Sequence, residues 1–372
     1  MNINLSDIFG AIQKQLFPSL AEELGELTDK DRQFVEVIAL VMLHAQPFLA
    51  AYAWCGEGRP PEKRGWILHA FIAKAVYNFP TTRALIDALL SRPTLRRLCG
   101  FESRGDVPEE WTFSRAFADF ARDGLLQKVH EAMVVAHLGP DQKLVGHVSR
   151  DSTAIEGAEK PAPKAQPEAV QAVTIPAKRG RPRKGEIRPE PEPKRLDLQL
   201  GRSLEENLAE LPTVCNVGCK RNSQGHQESW IGFKLHLDTV DGDIPVSACL
   251  TSASLHDSQA AIPLAQMTAA RVRSLYDLMD SAYDAEPIRA FSRQLGHVPI
   301  IDPNPRRGEA VPLDPAQQQR FKERSSAERV NSNLKDNFGG RTVRVRGGLK
   351  VMCHLMFGVV ALTATQLFKL LG

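Results

Sequence analysis

The first 140 residues contain apolar stretches that are separated by Gly, Pro and polar breaks, a pattern that predicts a succession of helices. Two of the predicted helices are long and four are short. In chain order the six stretches are Phe34–Trp54, Trp66–Tyr77, Arg83–Leu90, Thr94–Cys99, Trp111–Ala121 and Leu125–Val135. We therefore expect an all-helical domain over residues 1–140.

From Lys143 onward the pattern changes to the short apolar runs and strict alternation that are typical of strands. Asp241-Gly242 is a strong hairpin signal between two of these runs. The predicted strands are Leu144–Val148, Trp230–Val240, Ile244–Leu250, Leu275–Met279 and Val298–Ile301. The predicted helices are Leu196–Leu211, Ser258–Val272, Pro287–Leu295 and a helix at Phe321. This order predicts an α/β domain over residues 141–372, with a mixed sheet flanked by helices.

Two segments of the second half have unusual compositions. Residues 157–195, rich in Pro, Ala, Lys, Arg and Glu, predict a basic linker inserted after the first strand. Val351–Phe368 lacks Asp, Glu, Lys and Arg but includes polar side chains, so we expect a buried terminal helix rather than a membrane span. The six scattered cysteines and the absence of a basic leader at the N-terminus predict a cytoplasmic protein with free thiols.

The stretch Phe321–Lys335 has no Gly or Pro, and Asp314-Pro315 ahead of it predicts the start of a helix. At about 100° per residue, four side chains fall in one sector roughly 60° wide. They are Phe321, Arg324, Glu328 and Lys335. Such a face is not a core face, which would be aliphatic, although a solvated charged face would look similar.

Three acidic residues suggest a metal site. The first predicted strand runs into Asp151, the fourth runs into Asp280, and Glu328 lies on the charged helix. Strand ends of this kind meet at the rim of an α/β sheet, although a helix cap or a turn is the ordinary role of an Asp there. Three carboxylates without His or Cys suit Mg²⁺ or Mn²⁺, as in two-metal phosphoryl chemistry. Asp257 is predicted to cap the helix at Ser258, with a supporting place beside the metal ligands as the alternative, and Asp284 is a weaker alternative to Asp280.

At this point the residues resemble a family. Phe321-x2-Arg324-x3-Glu328-x6-Lys335 is similar to the Tyr-x2-Arg-x3-Glu-x6-Lys signature of bacterial insertion-sequence transposases of the DDE class, whose catalytic core is ribonuclease H-like. Similarity also lies in Trp230–His236, Leu250–Ser258 and Met279–Asp284. It covers about residues 144–368 and, more loosely, residues 80–135. Phe321 departs from the signature tyrosine, and the short Pro303–Leu313 connection leaves no room for the β-rich insert of some relatives, so the excision route stays open.

The resemblance implies an enzyme that cuts transposon ends and joins the freed 3′ hydroxyls to target DNA. Asp151, Asp280 and Glu328 would be its catalytic residues and would hold two Mg²⁺ or Mn²⁺ ions. Arg324 and Lys335 would hold phosphates near the scissile bond. The resemblance also implies a homodimer in a synaptic complex and a bacterial, nucleoid-associated protein. A non-catalytic DNA-binding descendant, or a ribonuclease H-like nuclease without strand transfer, are the alternatives.

Basic residues outside the catalytic set are candidates for DNA contact. Nine Lys or Arg against three acids lie between Arg320 and Lys350, which suits a polyanion. The predicted contacts there are Phe321, Arg329, Arg341, Arg344 and Arg346. In the linker, Arg179-Gly180-Arg181-Pro182 resembles an AT-hook, whose arginines enter the minor groove. In the helical domain, a helix-turn-helix would present Ser114, Arg115 and Arg122, although a plain bundle or a dimerisation module fits equally well.

Overall fold

The six helices predicted for the N-terminal half are all present. The computed structural model describes residues 27–54, 56, 64–140, 144–163, 193–221, 225–304 and 312–371. The helices are α1 (Asp29–Leu49), α2 (Arg64–Val76), α3 (Thr82–Ser91), α4 (Pro93–Leu98), α5 (Glu110–Asp123) and α6 (Leu125–Leu138). Local chemistry sets their ends. Thr28 forms a capping box with Asp31 at the start of α1, and Gly124, at φ 61°, turns the chain from α5 into α6.

The second half contains a mixed sheet, as predicted. Its strands are β1 (Leu144–Glu156), β2 (Asn216–Arg221), β3 (Gln227–Val240), β4 (Ile244–Ser252), β5 (Arg273–Met279) and β6 (Val298–Ile301). The order is β2-β3-β1-β5-β6, and β4 also pairs with β3. β1, β2 and β4 are antiparallel to β3, whereas β5 is parallel to β1 and β6 is parallel to β5. Strand β2 was not predicted.

The first strand is longer than its sequence predicts. Asp151 lies inside β1 rather than at its end, because antiparallel pairing with β3 continues as far as Glu156 opposite Gly232. The parallel partner β5 stops earlier, with Met279 opposite Arg150. Asp151 is therefore the first residue of β1 beyond the parallel pairing, which is where the sheet opens on one side.

The helices of the second half follow the predicted order with two differences. They are α7 (Arg195–Gln199), α8 (Leu204–Glu210), α9 (Ala261–Ala269), α10 (Glu286–Gln294), α11 (Pro315–Phe321), α12 (Ser325–Asn337) and α13 (Gly348–Leu371). The helix predicted at Leu196–Leu211 is split, since Ser203 caps α8 with a capping box. The helix predicted at Phe321 is also divided, because a 3₁₀ turn at Lys322–Arg324 separates α11 from α12. Asp314 caps α11 and Pro315 is its first residue, as expected.

The C-terminal helix α13 is a core element. It packs against α1, α2, α5, α6 and strand β4, so the N-terminal helices and the sheet share one hydrophobic cluster. At one of these junctions the buried ring of His130 on α6 contacts Pro245 O at 3.0 Å and Thr363 Oγ1 at 3.2 Å. Two helices of the described chain, Asp29–Tyr52 and Gly348–Leu370, are long and apolar enough to cross a membrane, with 44% and 72% burial of the apolar window. The larger buried share of the Gly348–Leu370 window favours a core role for α13. The division into two domains at residue 140 stays a prediction.

Candidate active site

Asp151 and Asp280 lie just beyond the last paired residues of two adjacent parallel strands. Arg150 pairs with Met279 in the last step of the β1–β5 register, and in both segments the next residue is an aspartate. Adjacent strands are about 4.8 Å apart. Both aspartates line a cleft of about 540 Å³ at this edge of the sheet. The register therefore brings together two acids that are far apart in the sequence.

A third aspartate, Asp257, lines the same cleft. The prediction that it caps the following helix is wrong, because the cap is the ring of His256, which accepts from the backbone N–H of Ser258. Asp257 instead forms an ion pair with Lys234, whose Nζ donates to Oδ1 at 2.8 Å. Lys234 also donates to Leu255 O at 2.8 Å, so it anchors this acid to the loop that carries it.

Burial dominates the ionisation of the two paired aspartates. It raises the pKa of Asp151 to about 6, against the lowering effects of the Arg324 charge and of hydrogen bonds from Ser152 and Asn331. Burial also raises the pKa of Asp280, although its carboxylate accepts from Ala282 N at 2.9 Å and lies near Arg324. The charge of Asp280 further raises the pKa of Asp151, which is the expected effect of two like charges at one site.

For Asp257 the neighbouring charges outweigh the effect of burial on the pKa. Burial opposes its ionisation, but the charges of His236 and Lys234 hold its pKa below the ordinary value, and Ser152 adds a hydrogen bond. The cleft thus combines one compensated carboxylate with two that lack full compensation within the described chain. That is a site with unsatisfied negative charge.

Glu328 lies beside the cleft but does not line it. Its Oε1 accepts from Arg324 Nη1 at 2.9 Å, with 62% of the Glu328 side chain exposed against 17% for Arg324. The Arg324 guanidinium lies 5.9 Å from the ring centroid of Phe321, so three of the four predicted stripe residues are in contact. Within the described residues, no group of three or more His, Cys, Asp or Glu side chains is arranged as a metal centre.

Two side chains that the sequence did not single out complete the site. Asn331, three residues after Glu328 and so on the same helix face, donates from Nδ2 to Asp151 Oδ2 at 3.0 Å. Tyr283 is 1% exposed, and its hydroxyl has no hydrogen-bond partner among the described residues. Burial raises the Tyr283 pKa, and the charges of Asp257, Asp151 and Asp280 raise it further. The i to i+3 spacing from Glu328 is the signal by which Asn331 could have been found in the sequence.

A buried ion pair supports the strand that carries Asp151. The preceding residue, Arg150, makes a bidentate contact with Asp238 on β3, with distances of 2.8 and 2.6 Å. The two side chains are 2% and 0% exposed. Asp238 also accepts from Thr268 Oγ1 at 2.6 Å. This network ties β1, β3 and α9 together directly behind the cleft.

The competing acid, Asp284, is engaged elsewhere. Its Oδ1 accepts from Arg289 Nη2 at 2.8 Å, and its Oδ2 accepts from Asn304 N at 2.9 Å. Asp284 is absent from the residues that line the cleft within the described chain, whereas Asp280 is present there.

The predicted DNA contacts occupy different environments. Burial lowers the pKa of Lys335, and the charges of Lys220 and Arg341 lower it further, whereas the charges of Glu156 and Asp336 oppose the shift. Of these cations, Lys220 lines the cleft. The other predicted contacts of this region are at the surface. Arg329 pairs with Asp243, Arg341 pairs with Asp336, Arg344 is exposed, and Arg346 Nε donates to Ala158 O at 3.0 Å.

The remaining candidates for DNA contact are in the linker and in the helical half. In α5, Ser114 is exposed, Arg115 lies over the Trp111 ring at 4.7 Å, and Arg122 pairs with Asp119 and Asp123. Arg179 and Arg181 lie outside the described residues.

Comparison with known proteins gives two matches. Residues 22–119 match a family model described as Transposase domain (DUF772), and residues 213–364 match one described as Transposase DDE domain. The second match includes Asp280 and Glu328, and Asp151 precedes it. No curated protein and no solved structure gives a match. The matches support a DDE transposase of the insertion-sequence type, for which DNA binding and metal-dependent DNA cleavage are expected, and the mixed α/β fold is consistent with this.

Proposed function

We propose that this chain, as a DDE transposase, cuts insertion-sequence ends and joins their 3′ hydroxyls to target DNA by two-metal phosphoryl transfer. The observation that carries the proposal is the pair Asp151 and Asp280, side by side at the open edge of the sheet, with Glu328 on the helix beside them. The strand order β4-β3-β1-β5-β6, antiparallel in its first half and parallel in its second, supports a ribonuclease H-like core.

The donor chemistry of the cleft fits a hard divalent cation such as Mg²⁺ or Mn²⁺. Burial raises the pKa of both Asp151 and Asp280, and a cation would relieve the cost of keeping these carboxylates ionised. Asp151, Asp280 and Glu328 would hold two such ions. When bound, the ions would activate the attacking water or hydroxyl and stabilise the leaving oxygen.

Arg324 and Glu328 would exchange partners when the site is loaded. In the free protein Glu328 is neutralised by Arg324, so the acid is kept near the cleft without an uncompensated charge. If Glu328 turns to a cation, the guanidinium is released, and its planar donors suit a DNA phosphate. The ion pair is mostly exposed on the Glu328 side, so its loss has a small energetic cost.

The other residues of the site would hold and orient groups. Asn331 fixes one oxygen of Asp151. Lys234 neutralises Asp257, which limits the negative charge that an incoming phosphate meets. Lys335 would hold a phosphate as a point charge. Phe321 cannot donate the hydroxyl contact of the family tyrosine, and its ring supports Arg324 instead.

DNA would extend from the cleft over the basic surface. The residues we assign to it are Arg329, Arg341, Arg344 and Arg346, with Arg179 and Arg181 of the linker as minor-groove contacts. Binding through such residues is expected to weaken steeply as salt is raised. The working form would be a homodimer that pairs two transposon ends in the bacterial cytoplasm, in association with the nucleoid.

The test is strand cleavage by Glu328→Gln on supercoiled DNA that carries the transposon ends, with Mg²⁺ present. We expect cleavage to be abolished while DNA binding is retained, because the amide keeps the shape of the acid and loses its charge. Glu323→Gln is the matched control, since Glu323 is an exposed acid on the adjacent turn. Cleavage by Glu328→Gln at the rate of the unmodified protein would refute the metal assignment.

Assays of the unmodified protein, for cleavage and for the joining of pre-cleaved ends, separate the alternatives. DNA binding without cleavage by the unmodified protein would indicate a non-catalytic DNA-binding protein. Cleavage without joined product from pre-cleaved ends would indicate a nuclease without strand transfer.

A further inference from the structure

A second cavity, of about 300 Å³, lies between the N-terminal helices and the C-terminal part of the chain. Its walls come from α2 and α5 on one side and from α13 and the segment before it on the other. It shares no described lining residue with the acidic cleft. Of its lining residues, Arg346 is the one shared with the DNA surface proposed above, and the catalytic assignment uses none of them.

The charged groups of this cavity all have the same sign. Lys74, Arg346 and Lys350 line it, and no Asp or Glu is among its described lining residues. Arg346 and Lys350 are exposed and stand at the rim, whereas Lys74 is only 9% exposed. The cavity therefore has a cationic floor and a cationic mouth.

Lys74 is the unusual member of this set. In the described part of the chain it has no ion-pair partner, and burial lowers its pKa to about 8. The neighbouring His354 cannot be its counter-ion, because an imidazole is either neutral or cationic; burial and the charge of Lys74 lower the pKa of that ring to about 3. A buried ammonium without a counter-ion destabilises the free protein, and a bound anion would offset this cost. Lys74 is thus a buried, unpartnered polar side chain that faces a cavity.

Aromatic rings from both sides also line this cavity. Phe71, Phe117 and Phe357 form a cluster with centroid separations of 5.2 to 6.1 Å, and all three line the cavity. The hydroxyl-bearing Ser114 and Thr82 are also at its surface. Cations, hydroxyl donors and aromatic rings together suit a phosphate group attached to a flat apolar body.

We propose that this cavity binds the phosphate group of a nucleotide, with Lys74 as the buried cation and Arg346 and Lys350 at the rim. The size, at the lower end of ligand pockets, suits one nucleotide. The nucleotide belongs either to a DNA strand or to the free pool, and the phosphate chemistry is the same. Only the DNA source rests on the transposase function proposed above.

The test uses the full chain and measures both binding and melting. Lys74→Met keeps the length of the side chain and removes its charge, and Lys350→Met does the same at the exposed rim. Lys369→Met is the matched control, because Lys369 is an exposed lysine at the far end of the same helix as Lys350. The probes are inorganic phosphate, thymidine 5′-monophosphate and a short 5′-phosphorylated duplex, titrated by calorimetry at one ionic strength.

We expect Lys74→Met to melt at a higher temperature than the unmodified protein without ligand, and to bind the nucleotide or the duplex about tenfold more weakly or worse. Lys350→Met should weaken the binding of the same probe, and Lys369→Met should leave its affinity unchanged. Competition between nucleotide and duplex assigns the source to DNA, and nucleotide binding without competition assigns it to the free pool.

Equal affinity in Lys74→Met and the unmodified protein, or no binding of any phosphate probe by the unmodified protein, would overturn the proposal. The outcome is independent of the catalytic assignment. If the unmodified protein binds the mononucleotide through Lys74 but neither binds nor cuts DNA, the transposase function fails and the phosphate site stands.

Discussion

Asn331 donates a hydrogen bond across 3.0 Å to Asp151, a residue 180 positions earlier in the chain. The contact joins α12, which carries Glu328, to the strand that carries Asp151. It satisfies one oxygen of a carboxylate whose pKa burial raises to about 6. Asn331 is itself 6% exposed, so the contact is protected from water.

Replacing Asn331 should therefore slow catalysis more than it affects folding or binding. We expect Asn331→Ala to cut DNA roughly ten- to a hundredfold more slowly, as is common when the residue that orients a metal ligand is lost. The measurement is the initial rate of strand cleavage at saturating Mg²⁺. Asn337→Ala, on the exposed end of the same helix, is the control. An unchanged rate in Asn331→Ala would mean that Asp151 needs no orientation from α12.

The unpaired hydroxyl of Tyr283 should matter for activity and not for stability. It is buried without a partner in the described chain, an arrangement that costs free energy in the folded protein. We expect Tyr283→Phe to melt at the same temperature or higher, and to cleave DNA about tenfold more slowly, because the hydroxyl would donate to the acids or to water in the working site. Tyr276→Phe, on the neighbouring strand β5, should leave cleavage unchanged. Full activity in Tyr283→Phe would reduce this residue to a packing role.

The buried Arg150–Asp238 pair should contribute more to stability than an ion pair at the surface. Arg150→Met leaves a buried carboxylate without its cation, and the expected loss in the free energy of unfolding is about 3–5 kcal/mol. Arg329→Met removes the exposed partner of Asp243 and should cost less than about 1 kcal/mol. Urea unfolding of the two variants measures the difference. Similar losses in both would contradict the view that burial decides the effect.

Stability should fall in acid because of neutral buried histidines, of which His130 is the clearest case. Burial lowers its pKa from 6.5 to about 3. Below pH 6.5 the unfolded chain binds a proton at His130 that the folded protein does not bind. The contribution of the neutral ring to the free energy of unfolding is therefore complete above pH 6.5 and is lost progressively down to about pH 3. The loss by pH 5 is about 2 kcal/mol.

His130→Gln should therefore show a shallower decline between pH 7 and about pH 5, whatever its stability at neutral pH. Chemical denaturation at a series of pH values checks the slope. A control substitution at the exposed His226 should keep the slope of the unmodified protein. Equal slopes in His130→Gln and the unmodified protein would show that His130 takes up a proton as readily in the folded protein as in the unfolded chain.

The local elements could be predicted because their signals are local. The alternation over Trp230–Val240, the turn at Asp241-Gly242 and the capping box at Asp314 depend only on neighbours in the chain. The same holds for Asp280, which follows the last residue of β5 as predicted. The four helices between Thr82 and Leu138 were also predictable, because Gly and Pro mark their ends.

Other features were decided by partners that are distant in the chain. The length of β1 depends on its pairing with β3, and the place of Asp257 depends on Lys234. The contact of Asn331 with Asp151 likewise follows from packing.

The sequence by itself indicated five of the six described strands and the order of the helices, and it marked Asp151, Asp280 and Glu328 as the candidate catalytic acids. Only the tertiary structure decided that Asp257, Asn331 and Tyr283 lie with the first two, and that Lys74 is buried at a cavity between the two halves. The physical reason is that periodicity and capping act over a few residues, whereas burial, charge compensation and register depend on contacts between residues far apart in the chain.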